Sequence, residues 1–481
     1  MCFSMKNEIL FAGVSFLAGI SFLCAGKGPV AMQEKAVAPG PEVNLVPAED
    51  TEDWVYRVNP ETGKKEKFFG IGYWAVPGYT LKSSADEDPA NVEAYRKWTA
   101  HCNLLILDPK FLQPYMKDML LAIFGFAWPV YDFSGQPGLP TTADQDYYRM
   151  QYLKANAGSP AFAKMLDDVL DGYLSRFRDN QRMYAPIDEI ALGGRGRWYI
   201  PASVGDKIYE RIKLKEPDPI VQVDLLGHGR GSTFFFERNY LKTHAFMPPE
   251  PPYELLSENA RKQTKIPLLG FFQAHDGTPV YTFDTAGNFS YSEIPIETLK
   301  GLWYENVKQI AAAYKNNGNV FSINAFIDFF ANPVLAGVTT DAMKAGLGKM
   351  PVWLYFDGNG YARPASVTVR TYIRTVKCQI YTSLVHGATG ILFWNDLSKP
   401  ADVFVALQPV LQELEKSLPL FELPTVERKI AGDLHVMVKQ DAAGKKYLIA
   451  TNTSKTDRVT LPFPVAGRKG LAPLEVLVSA L

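Results

Sequence analysis

The sequence predicts an α/β protein: a (β/α)8 TIM barrel followed by a small C-terminal antiparallel β-sandwich-like domain. Three observations lead there. From Phe68 onward, about eight apolar strand-like runs alternate with helical segments, the βα alternation of a parallel sheet. The run Val385-His386-Gly387-Ala388-Thr389-Gly390-Ile391-Leu392-Phe393-Trp394-Asn395-Asp396 passes from a helix through a small-residue turn into a strand that ends in an aromatic and two polar side chains. Barrels build their sites at that end of their strands. The last ~55 residues then change to short strands spaced by Gly, Asp and Asn turns.

Before the barrel, Lys6 precedes an apolar run from Ile9 to Leu23, followed by Cys24-Ala25-Gly26. A basic start, an apolar stretch of this length and small residues after it read as a secretory signal, too short for a comfortable membrane span. Cys24 is a candidate lipid-anchor cysteine, although Phe22 and Leu23 are bulky where small residues are expected; ordinary cleavage nearby is the alternative. The expected destination is outside the cytoplasm: periplasmic, outer-membrane-anchored or extracellular. Pro29, Pro39 and Pro41 interrupt the next stretch, which reads as a linker with one short hairpin near Trp54-Val55-Tyr56. The expected organisation is thus 1–26 signal, 27–67 linker, 68–422 barrel and 423–481 β domain.

The strands expected in order are Phe68–Trp74, Asn103–Asp108, Leu121–Phe126, Met183–Glu189, Pro219–Leu226, Val320–Phe326, Pro351–Phe356 and Ile391–Phe393. Helices are expected over Asn91–His101, Phe111–Leu120, Ser159–Asn180, Gly205–Lys213, Pro295–Tyr314, Thr339–Leu347 and Val367–Leu384. The stretch from Gly227 to Pro295 is long and irregular for a βα unit, with a hairpin tip at Phe283–Phe289, and such loops tend to be functional. A doubly wound open sheet is the rival fold, but no G-x-G-x-x-G follows the first strand. Pro419 to Pro424 reads as the join to the β domain.

A net charge of −1 gives no support for nucleic-acid binding. The six His residues fall in no H-x-x-H or H-E-x-x-H pattern, so no metal or other cofactor is called for. No Gly-x-Ser-x-Gly elbow and no phosphate loop occurs. Cys102 and Cys378 read as two separate buried thiols.

The acids at strand ends carry the chemistry. Asp188-Glu189 closes the fourth strand, and Asp328 and Asp357 follow the sixth and seventh. Cleaving a glycosidic bond takes two carboxyls on opposite sides of it, about 5–5.5 Å apart for a nucleophile with an acid/base and about 6.5–9.5 Å for an inverting pair. Neighbours on one strand face opposite ways, so Asp188 and Glu189 do not form that pair, and Glu189 needs Asp357 or Asp328. Asp357, in Phe356-Asp357-Gly358-Asn359-Gly360, reads equally as a turn-capping carboxylate. Tyr73, Trp74, Trp394 and Asn395 are expected to line the mouth, with His228 and Arg230 on a glycine-flanked loop beside it and Asp188 as a binding residue; rim packing is the competing role for each aromatic.

Here the chain resembles secreted glycoside-hydrolase-like (β/α)8 proteins. These carry a Tyr-containing strand ending in Asp-Glu-Pro, a Tyr-rich helix and an Asp-Pro before the next strand. They close on an Arg…Tyr…His-Gly-Ala-x-Gly-Ile-x-x-Trp segment, matched by Arg370, Tyr381 and His386 to Trp394. The resemblance covers most of residues 68–396 and implies a hydrolase acting on a poly- or oligosaccharide, with Glu189 as acid/base. Ile190 stands where that pattern has Pro, and no Glu lies near residue 357. A non-catalytic glycan-binding protein using the same cleft is the alternative, and a structural protein of an exported assembly a third reading.

Overall fold

Eight short strands pair in parallel all the way round: β1 Gly70–Tyr73, β2 Leu104–Ile106, β3 Leu120–Phe124, β4 Arg182–Ala185, β5 Ile220–Leu226, β6 Val320–Asn324, β7 Val352–Asp357 and β8 Gly390–Trp394, with β8 pairing back onto β1. The chain is thus a closed (β/α)8 barrel, and the open doubly wound alternative is excluded. This computed structural model describes residues 46–47, 53–59, 62–73, 97, 99–106, 119–124, 152–177, 181–186, 200–216, 218–226, 281–283, 289–291, 296–324, 333–358, 360, 367–394 and 402–481. Among the described residues, no helix is long and apolar enough to cross a membrane. The signal and Cys24 lie outside the described residues.

Side chains alternate along each strand, so every second residue faces the barrel's interior. Ile71, Leu105, Leu121, Val221, Val223, Phe321, Leu354 and Ile391 face outward into the main core shared with the helices. Leu104, Leu120, Met183, Val320, Trp353 and Leu392 fill the inside. The Trp353 indole takes its space from two glycines: a Cβ on Gly390 would come within 2.5 Å of its ring, and one on Gly70 within 2.9 Å. Gly390 is therefore a packing glycine. The turn expected at both glycines is made by Gly387, whose φ is +98°.

The helices pack outside: α1 Pro160–Arg176, α2 Ala202–Lys215, α3 Ile296–Tyr314, α4 Pro333–Leu347, α5 Val369–Val385 and α6 Asp402–Phe421. Two begin at side-chain caps. Ser159 accepts the Phe162 N–H at 3.2 Å, and Thr368 accepts that of Thr371 at 3.2 Å. α6 was not expected, Pro419 having been read as the start of the join to the β domain; Pro409 and Pro419 both lie inside the helix. Its buried stripe of Val403, Phe404, Leu407, Val410, Leu411 and Leu414 recurs at helical spacing and outweighs the prolines.

The supposed linker contributes structure at both ends of the molecule's architecture. Strands Val55–Val58 and Lys65–Phe68 form a hairpin whose Val55 and Phe68 close the N-terminal end of the barrel, Phe68 lying 6.2 Å from Trp353. Val46–Pro47 pairs with the C-terminal sheet. That sheet contains β9 Thr425–Ala431, β10 Leu434–Gln440, β11 Lys446–Asn452 and β14 Val476–Ala480, beside a ribbon of β12 Val459–Val465 and β13 Arg468–Leu471. One face buries Val436, Val438, Leu448 and Ala450 with Leu461, Val465 and Leu471. From the other face Met437 and Ile449 join the barrel's core, so the β module leans on α5.

Candidate functional site

The barrel interior changes character toward its C-terminal half. Below are Phe68, Leu104, Leu120, Met183 and Trp353. Beside and beyond them, on three neighbouring strands, lie Gln222 and Asp224 of β5, Ser322 of β6 and Tyr355 of β7, Gln222 paired with Val320 and Ser322 with Trp353. Gln222 and Asp224 stand two residues apart and so share a face; they are only 1% and 3% exposed. Gln222 Nε2 donates to Ser322 Oγ at 2.6 Å and sits 3.5 Å from the Tyr355 hydroxyl, while Ser322 Oγ donates to Asp224 Oδ1 at 2.7 Å. The Gln222 carbonyl oxygen is buried without a hydrogen-bond partner among the described residues. Such an acceptor costs about 1–3 kcal/mol when left unmatched, and a buried carboxylate costs several more unless held. A polar layer in an otherwise apolar barrel is therefore the floor of the candidate site.

The rim above it is formed in part by Asp357 and Trp394, which face each other across the β7–β8 pairing. Asp357 is buried. Its Oδ1 accepts the Gly360 N–H at 2.9 Å and its Oδ2 accepts the Tyr372 hydroxyl of α5 at 2.7 Å. The carboxylate thus caps the turn after β7, where Gly360 has φ +75°, and ties that turn to a helix. Gly358 N–H donates to the Trp394 carbonyl at 2.8 Å, joining the two strand ends. The Trp394 side chain is partly buried against the inner cluster.

Tyr73 is corrected. Odd-numbered residues of β1 face outward, and its ring is fully buried 5.1 Å from Phe393 and 4.8 Å from Phe404 of α6. It packs the barrel against a helix and does not line the mouth; burial holds its hydroxyl well above the ordinary tyrosine range. Asp188, Glu189, Asp328, Trp74, His228, Arg230 and Asn395 lie outside the described residues. The strand β4, Arg182–Ala185, is anchored to a helix end. Tyr184 and Arg182 of β4 both bond Glu216 just past α2, the Arg182 Nε at 2.9 Å.

Two described polar members of the motif that closes the chain's resemblance, Tyr381 and His386, serve packing between elements. Tyr381 donates to Glu413 of α6 at 2.8 Å, and His386 sits at the end of α5 with Nδ1 2.8 Å from Asp341 and Nε2 2.9 Å from His435 Nδ1. This end of α5 precedes β8, on the side of the barrel away from the strand ends that bear Asp357 and Trp394. Asp224 went unnoticed in the sequence. Its signal was the spacing Gln222-x-Asp224 inside an apolar strand, which puts two polar groups on the same buried face. Among the described residues, no three His, Cys, Asp or Glu side chains are grouped to hold a metal ion.

No family model matches the chain, and no curated protein does. Solved structures with a similar course include an alpha-amylase of Anoxybacillus, 9% identical over 85% of this chain and 97% of that one, with a TM-score of 0.42. An alpha-amylase of Geobacillus thermoleovorans solved with acarbose is 10% identical over the same shares, with a TM-score of 0.45. An endo-glycoceramidase II of Rhodococcus sp., solved with a cellobiose-like isofagomine, is 12% identical over 84% of this chain and 96% of that one, with a TM-score of 0.32. At these values no residue role passes from them to this chain, whose (β/α)8 barrel with a C-terminal β module stands on its own strand pairing.

Proposed function

We propose that the chain is an exported glycoside hydrolase acting on a poly- or oligosaccharide at the C-terminal mouth of its barrel. The observation that supports it is the polar floor of Gln222, Asp224, Ser322 and Tyr355 set inside an apolar barrel beneath the rim bearing Trp394 and Asp357. Sugar rings offer a C–H face to an aromatic such as Trp394 and hydroxyls to amides and carboxylates. In this reading Glu189 protonates the leaving oxygen, a second carboxyl attacks or activates water, and Asp357 and Asp328 are the acids first indicated for it. Asp188, Trp74, His228, Arg230 and Asn395 are binding residues, with Cys24 as the lipid attachment point. The test is a glycan-hydrolysis screen of wild type against Glu189→Gln. Cleavage by the wild type with loss in the variant supports the reading, whereas equal activity in both removes Glu189 from the mechanism.

A non-catalytic glycan-binding protein is the second reading. It draws support from Asp357, whose two oxygens are both engaged by the chain's own donors. Retention on an immobilised glycan that the protein never cleaves would favour it.

A further inference from the structure

The β7–β8 ladder runs from Trp353 opposite Gly390 to Asp357 opposite Trp394. Beyond it, the Gly358 N–H of the turn donates to the Trp394 carbonyl at 2.8 Å. Asp357 shapes that turn. Its Oδ1 accepts the Gly360 N–H at 2.9 Å, where a φ of +75° suits glycine, and its Oδ2 accepts the Tyr372 hydroxyl at 2.7 Å. Tyr372 is a fixed point: it is 1% exposed, its ring lies in the main core, and its helix is capped by Thr368. A continuous path of bonds therefore runs from α5, through Tyr372 and Asp357, to the backbone of Trp394. Gly390, Leu392 and Trp394 share the inner face of β8, where Leu392 is buried in the inner cluster while Trp394 packs on that cluster and is only partly covered. A turn needs no charge to be capped, since Asn or Ser also accepts a backbone N–H, and a carboxylate costs more to bury. What the charge adds is a stronger bond to the helix. An aromatic that a ligand must meet in one orientation gains from being fixed in advance.

We propose that Asp357 and Tyr372 are positioning residues of the site: together they clamp the turn to which the Trp394 backbone is tied, and so set the angle at which the Trp394 ring meets a sugar ring. The assignment rests on the glycosidase reading and takes Asp357 out of the acids weighed there as the second carboxyl. Its two oxygens hold the rim and touch no reacting atom. Loss of the clamp loosens the platform, so it weakens substrate binding and spares the chemical step.

The experiment uses the full-length protein with soluble starch, xylan, mixed-linkage glucan and galactomannan, well below the melting temperature of every variant. On the glycan that the wild type cleaves, Tyr372→Phe should raise KM about tenfold and leave kcat within about threefold. Trp394→Ala should raise KM at least as much, and adding Tyr372→Phe to it should raise KM no further, because the clamp then has nothing to position. A tie that only stabilises the fold would lower the melting temperature and leave KM alone. Asp357→Asn should likewise act on KM; a fall in kcat on the order of a thousandfold would make Asp357 a catalytic acid and overturn the proposal. An unchanged KM in Tyr372→Phe, or additive effects in the double variant, overturns it too and leaves the glycosidase reading standing. Should Trp394→Ala not fold, Tyr372→Phe and Asp357→Asn decide the matter. If the wild type is retained on one of these glycans without cleaving it, the glycosidase reading fails, and the same cycle read in dissociation constants decides the clamp by itself. Neither cleavage nor retention of any of them removes both together.

Discussion

Acidification is expected to weaken the fold through one buried imidazole, His435 of β10. Its ring lies between the sheet and the barrel, 5.0 Å from that of His386, and is 1% exposed. Burial first, and then the neighbouring His386, hold its pKa down to about 3 from an ordinary 6.5; Lys300 adds to the depression and the Gly432 carbonyl opposes it. Asp341 faces the other nitrogen of His386 and is the nearby acid of this chain of contacts. The direction follows from proton counts. Below 6.5 the unfolded chain binds a proton at this residue that the folded chain does not, so the stability present above 6.5 is lost as the pH falls toward 3. At about 1.4 kcal/mol per pH unit, the descent from 6.5 to about pH 5 costs roughly 2 kcal/mol. Urea unfolding of wild type and His435→Gln at about pH 7.5, 6 and 5 measures it, the amide preserving a donor for His386. The wild type should lose about 2 kcal/mol more than the variant over that range. Parallel losses in the two proteins would refute the reasoning, since every other acid and imidazole is common to both.

Two further outcomes test packing near the site. Gly390→Ala drives a methyl to 2.5 Å from the Trp353 ring and should cost about 1–3 kcal/mol, read as a lowered melting temperature; a melt unchanged from wild type would deny that the indole fills the barrel's lower half. Tyr372→Phe removes the donor to Asp357 Oδ2 and should cost about 1–3 kcal/mol, and an unaltered urea midpoint would show that this bond does not hold the turn after β7.

The barrel was legible because its strands are short apolar runs buried on both faces, a pattern that survives without any knowledge of what they pack against. Runs such as Val320–Asn324 and Val352–Asp357 read as strands from composition alone, and the helices between them from their spacing. What escaped was structure decided by distant contacts. α6 carries two prolines, and local rules favour a break there; only the core against its apolar stripe reveals why it persists. The hairpin expected near Trp54-Val55-Tyr56 is present over 55–68, but its place against the barrel was not legible, because Lys-Glu-Lys-Phe offers only Phe68 as an apolar residue to bury. Val55 and Phe68 gain their burial from the barrel's open end, which no local pattern records.

Strand direction explains the uneven reading of the site. A sequence shows which residues end a strand but not which way the first of them points, and a shift of one residue exchanges inside for outside. Tyr73 fell on the outward side, where Phe404 covers it, while Gly72 beside it faces in with Gly70 and Leu104. Asp357 fell where a turn and a helix both needed an acceptor, so its carboxylate is spent on Gly360 and Tyr372. Asp224 was the reverse case. Within Ile220-Val221-Gln222-Val223-Asp224 the acid looks like an interruption of an apolar strand, and its partner in the folded protein, Ser322, stands 98 residues away in sequence. A polar residue that interrupts a buried strand at a spacing of two from another is better placed to meet a ligand inside a barrel than an acid in a glycine-rich turn, because the strand fixes its direction and the turn consumes its acceptors.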